Sequence, residues 1–202
     1  MSENGTTDAE RRRFLTTAAT VVGGAGVAAA AVPFISAMTP SAKTRAIGAP
    51  VEVDIGDLQP GDRKVVKWQG KPVWILRRDT KSVSELDELD DAVRDPESEV
   101  TSQQPAYARN EYRSIKPEYL VVIGLCTHLG CSPTYVPRGE GDEHNLSASW
   151  KGGFFCPCHG SRFDLAGRVF KDVPAPTNLV VPPYQYLSDT RLLIGDDSGV
   201  TS

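Results

Sequence analysis

Histidine is scarce in this 202-residue chain, which holds three of them beside four cysteines. Any site built on imidazoles can therefore be followed residue by residue, and enzyme classes that need several such sites are excluded. Surplus positive charge is missing too. The 22 Lys and Arg stand against 26 Asp and Glu, a net charge of -4, so there is no electrostatic footprint for nucleic acid. Compositional extremes are absent: aromatics at 7% and charged residues at 24% rule out collagen-like and wholly disordered readings. The length allows one modest globular domain with additions.

Charge is lacking altogether from residues 14–38, a run of 25 with eight Ala, four Val and three Gly. A helix rising about 1.5 Å per residue reaches roughly 37 Å over that length, enough to cross a ~30 Å hydrocarbon core with some tilt. Arg11, Arg12 and Arg13 precede the run, followed by Phe14 and Leu15. Arg-Arg-x-Phe-Leu ahead of a weakly hydrophobic Ala/Gly stretch has the pattern of a bacterial twin-arginine export signal, and a plain positive-inside flank gives the same orientation. The expectation is a cytoplasmic N-terminus over 1–13, a single transmembrane anchor over 14–38 in the bacterial inner membrane, and a periplasmic remainder. Ala29-Ala30-Ala31 offers an A-x-A-like cleavage site. The apolar run nevertheless outlasts a signal h-region of roughly 7–15 residues, which favours a retained anchor. Residues 39–50, small and polar with proline near both ends, read as a flexible hinge that reaches at most about 40 Å.

From residue 51 to the end at 202 the pattern is one of short strands and turns. Val51–Asp54 alternates with period two. Arg63–Trp68 and residues 72–76 flank Gln69-Gly70-Lys71, a hairpin signal. Residues 119–125 form a continuous apolar run suited to a buried strand, and Val180-Val181 and Arg191–Ile194 read as closing strands. These features predict a mainly antiparallel β domain. One stretch, about 79–116, breaks the rhythm as an acidic helical insertion. Within it Leu86, Leu89 and Val93 have helical spacing, and Ser84 with Asp87 resembles a capping box. Residues 79–99 carry nine acidic and two basic side chains, which read as a solvated face or as a docking surface for a basic partner.

All four cysteines and two of the three histidines fall within 34 residues, as Cys126-Thr-His128-Leu-Gly-Cys131 and Cys156-Pro-Cys158-His159-Gly-Ser161. Such clustering points to a metal site. A structural zinc site of two Cys and two His uses four ligands and leaves two cysteines over. A 2Fe–2S cluster with two thiolates on one iron and two imidazoles on the other uses the same number. His144, in the polar stretch 138–149 between the boxes, reads as an exposed loop residue.

The two boxes closely resemble those of the Rieske iron–sulfur protein family, specifically its ubiquinol–cytochrome c reductase type from cytochrome bc complexes. The likeness extends over nearly the whole chain, including the export signal, the anchor and a later Pro174-Ala175-Pro176 segment. It implies an antiparallel β-sandwich head with a small cluster-binding subdomain at about 124–178 and one Rieske-type 2Fe–2S cluster. The implied ligands are Cys126, His128, Cys156 and His159, with a Cys131–Cys158 disulfide. By the same likeness His159 hydrogen-bonds ubiquinol and accepts its proton, and Ser161 donates to a bridging sulfur. Pro174 and Pro176 would lie in a shielding loop, and Leu129 would cover the cluster at a docking tip. Gly130 and Gly160 suit tight loops whose N–H groups approach the cluster sulfurs. Phe163 stands where many mitochondrial-type members have a tyrosine that donates to a ligand sulfur. The implied partners are cytochrome b and c-type cytochrome subunits in a dimeric complex.

Two neighbouring classes compete with this reading. A Rieske electron carrier needs no anchor, whereas the small Rieske subunit of another periplasmic oxidoreductase, such as an arsenite oxidase, shares both export and cluster. A Rieske oxygenase needs a further iron site of two His and one carboxylate, and His144 alone cannot complete it.

Overall fold

The computed structural model describes residues 4–41, 44 and 48–200. The chain divides into two units between residues 46 and 47. In the first, helix α1 (Asn4–Ala37) starts ahead of the three arginines and carries Pro33 within it. Residues Thr7–Ala37 are long and apolar enough to cross a membrane. Its hydroxyls bond within the helix, Thr16 Oγ1 to the Arg12 carbonyl and Thr20 Oγ1 to that of Thr16. This self-satisfaction suits a segment without water around it. The expected hinge over 39–50 lies partly outside the described residues, at 42–43 and 45–47.

The second unit contains three antiparallel sheets of three strands each. The first joins β1 (Val51–Asp54), β9 (Arg191–Ile194) and β8 (Tyr184–Ser188), with Val51 opposite Ile194. The second runs β2 (Arg63–Trp68), β3 (Lys71–Arg77) and β4 (Tyr119–Ile123). Gln69 and Gly70, both at positive φ, form the two-residue turn between β2 and β3, with Trp68 opposite Lys71. Every residue of β4 is buried, as its unbroken apolar sequence requires. The third sheet consists of β5 (Thr134–Val136), β6 (Gly153–Phe155) and β7 (Arg162–Phe163). One core links the sheets through Ile75, Val121, Phe154, Phe163, Leu192 and Ile194.

Two local expectations are corrected. Val180-Val181 is not a strand: Val180 accepts from the Ile123 N–H, Val181 donates to Gln103, and Pro182-Pro183 then offer no donors, so β8 begins at Tyr184. In the acidic segment the helix is one short turn, α2 (Thr80–Ser84), capped by Asp79 rather than opened by Ser84. A 3-10 turn follows at Asp87–Ala92. Long-range partners hold this segment: the Leu86 carbonyl is taken by an arginine and its carboxylates are drawn to cations elsewhere in the head. Arg168 Nη2 donates to the Leu86 carbonyl at 2.5 Å, while Glu85, Glu88 and Asp90 pair with Arg138, Lys151 and Arg168. Leu86 and Val93 are nevertheless buried, so the apolar spacing marks an inward face. The acidic segment is thus fastened to basic residues of its own head.

Candidate metal centre

Box one leaves the end of β4 and box two the end of β6. The two loops share one backbone design at positions thirty residues apart. Cys126 N–H donates to the Cys131 carbonyl and Gly130 N–H to that of Cys126. Likewise Cys156 N–H donates to the Ser161 carbonyl and Gly160 N–H to that of Cys156. Gly130 and Gly160 have φ of 79° and 77°, a left-handed turn that glycine adopts without a Cβ penalty. Their own N–H groups are therefore committed to carbonyls rather than to sulfurs. The backbone N–H groups of Cys158 and His159 bear on the Cys156 thiol by favouring its ionised form.

The structure joins Cys131 to Cys158 by a disulfide with Cα atoms 6.7 Å apart, leaving Cys126 and Cys156 as buried free thiols. Burial pushes the Cys156 thiol pKa up, and its contact with Cys126 acts in the same direction, whereas the two N–H groups pull it down. The sulfurs of Cys131, Cys156 and Cys158 lie within 4.8 Å of one another. Two of these are spent in the disulfide, so that trio cannot act as three thiolates. The rings of His128 and His159 meet edge-on with centroids 4.8 Å apart. His128 is half-buried and its Nδ1 has no hydrogen-bond partner, while His159 is exposed. Two adjacent buried thiols, an orphaned imidazole nitrogen and a second imidazole beside it fit a cationic centre with mixed sulfur and nitrogen ligation. Burying both thiols as thiolates costs too much unless positive charge sits between them.

A third loop closes the site. Ala175, buried between the exposed Pro174 and Pro176, donates its N–H to Ser161 Oγ at 3.0 Å. Thr127 Oγ1 donates to the Thr177 carbonyl at 2.6 Å. Each box is thus bonded to the proline loop once. Ser161 is fully buried, with its oxygen occupied as an acceptor and its hydroxyl proton available to donate. Phe163 is fully buried in β7 opposite Phe154, and Leu129 is 71% exposed at the tip. His144 is half-buried over Phe155, with centroids 5.5 Å apart, instead of lying free in its loop.

Sequence reading missed the tie through Thr127 and Ala175, and also three buried arginines. Arg168 is held by Asp164 at 2.7 Å and Asp90 at 2.6 Å. Arg78 and Arg113 instead donate to carbonyls and neutral side chains, Arg78 to Pro117, Tyr112, Leu165 and Ser114, and Arg113 to Ala166, Gly167 and Gln104. Burial lowers both guanidinium pKa values to about 10, so both remain charged at neutral pH.

Residues 50–185 match the family described as the Rieske 2Fe-2S domain. Residues 1–41 match the one described as the ubiquitinol-cytochrome C reductase Fe-S subunit TAT signal. The ubiquinol-cytochrome c reductase iron-sulfur subunit of Allochromatium vinosum is 59% identical over 94% of this chain and 90% of its own length. That of Blastochloris viridis is 44% identical over 96% and 98%. The mitochondrial cytochrome b-c1 complex subunit Rieske of Candida albicans is 39% identical over 85% of this chain and 70% of its own length.

Proposed function

The chain belongs to the Rieske 2Fe–2S family as an iron–sulfur subunit of the cytochrome bc complex type, and from that premise we propose that it takes an electron and a proton from ubiquinol and passes the electron to a c-type cytochrome subunit. Cys126 and Cys156 would hold one iron, and His128 and His159 the other. When bound, the cluster supplies a one-electron acceptor whose potential imidazole ligation raises to about -150 to +300 mV. The thiolates are kept dry by the core. The disulfide fixes the loop tips to each other, and Ser161, whose oxygen accepts from the Ala175 N–H, would give its hydroxyl proton to a cluster sulfur.

The observation that carries the reading is the asymmetry of the two imidazoles. His159 is the exposed one, beside an exposed Leu129, so it is the ring able to meet a substrate. Its nitrogen that does not bind iron would accept a hydrogen bond, and then the proton, from the quinol hydroxyl. Cytochrome b would complete the quinol pocket around this tip, in a dimeric complex. The apolar helix and the twin-arginine pattern support a single-pass anchor in the inner membrane, with N-terminus cytoplasmic and head periplasmic. Residues 39–50 would let the head travel between its electron donor and acceptor.

The test is purification from membranes followed by electron paramagnetic resonance. A low-average-g rhombic signal that shifts with a quinol-site inhibitor is expected. A Rieske signal indifferent to such an inhibitor would favour another periplasmic oxidoreductase.

A further inference from the structure

The two cysteine loops arise from different sheets, and the disulfide and the proline loop join them only near their tips. The stems from which the cysteines emerge, residues 124–125 and 154–155, need something else to set their spacing. Trp74, in the middle of β3 and 3% exposed, meets both stems. A Cβ placed on Gly124 would come within 2.1 Å of Trp74 Cε2 and 2.4 Å of Nε1, so the indole edge lies directly against that backbone. The Trp74 ring also stacks on Phe154, with centroids 5.2 Å apart and planes inclined by 29°. Gly124 and Phe154 are equivalent positions, each two residues ahead of a cysteine with a free thiol. The Arg63 guanidinium lies 4.7 Å from the Trp74 ring centroid, and Tyr135 packs on Phe154 at 5.8 Å.

We propose that Trp74 is a positioning residue, a wedge between the two cysteine stems that sets the distance between Cys126 and Cys156 and so tunes the reduction potential of the centre they hold. The wedge acts through the backbone. Cys156 is held in its loop by its N–H to the Ser161 carbonyl and by the Gly160 N–H to its own carbonyl, and the stem decides where that loop sets its dipoles against the added negative charge of the reduced state. Letting the stems drift weakens these hydrogen bonds and lowers the potential. The molecule provides its own control. Trp68, on β2, is seated against a glycine in the same manner, with the Gly195 Cβ position 2.3 Å from Trp68 Nε1, but Gly195 follows β9 and touches neither box.

The proposal rests on the Rieske reading, and the experiment separates the two. Full-length protein in detergent is examined by electron paramagnetic resonance and redox titration, starting with the unaltered chain. If that chain gives no Rieske signal, the functional reading falls. Given that signal, Trp74→Ala and Gly124→Ala are each expected to broaden it and lower the midpoint potential. Trp74→Phe, which keeps an aromatic ring against Phe154, restores both, and Trp68→Ala leaves both unchanged. An unchanged potential in Gly124→Ala, or an equal change in Trp68→Ala, overturns the proposal. Gly124→Ala decides the matter if Trp74→Ala yields no cluster.

Discussion

At equivalent places thirty residues apart, the first loop carries Thr127, His128, Leu129 and Cys131, and the second Pro157, Cys158, His159 and Ser161. Both close through the same pair of backbone hydrogen bonds and both turn on a left-handed glycine. The backbone therefore does not distinguish them. The histidine does: it comes one place earlier in the first loop, where it is half-buried with an unpartnered Nδ1. One place later, in the second loop, it stands in solvent at the position where the first loop exposes Leu129. A single-residue shift within one turn design yields one half-buried imidazole with an unpartnered nitrogen and one that faces solvent.

The largest blow to this comparison falls on what the loops share. Cys126→Ser and Cys156→Ser are each expected to abolish the rhombic signal to the same degree, and a full-intensity signal in either would break the equivalence of the stems. Next comes the link between the loops. Cys158→Ser opens a disulfide spanning 27 residues, worth about 3.5 kcal/mol in the chain-entropy account, so the thermal midpoint of the head drops in calorimetry. A midpoint that does not move would mean that the proline loop alone holds the tips together. Ser161→Ala should act more gently. It strips the acceptor from the buried Ala175 N–H, at about 1–3 kcal/mol, and lowers the midpoint potential in voltammetry. Smallest is Phe163→Tyr, which gives the second loop a donor it lacks and is expected to raise the potential slightly. A fall, or no change, removes that idea.

Legibility in the sequence followed the range over which each feature is determined. Strand β1 stands where period-two alternation puts it, β2 where the Gln69-Gly70-Lys71 turn signal puts it, and β9 where a closing strand is expected, because alternation and turn residues are local. Strands β5, β6 and β7 are two or three residues long and leave no periodicity to read. The boxes were visible because residue type and spacing carry their chemistry. What supports them was not. Thr127 finds its acceptor 50 residues away and Ser161 its donor 14 away. Arg78, Arg113 and Arg168 look like surface residues in any composition count, and only the fold shows them fully enclosed. The acidic segment misled in the same manner, since Glu85 and Glu88 find their cations 53 and 63 residues away.

The seat of Trp74 on Gly124 makes these two positions a single unit of variation. No side chain fits at 124 while an indole occupies 74, so Gly124→Ala, harmful alone, should become tolerable beside a smaller residue at 74. A double-mutant cycle of Gly124→Ala with Trp74→Leu is expected to show strong positive coupling. Across natural variants of this head, the size of residue 74 should then forecast whether residue 124 can be anything but glycine.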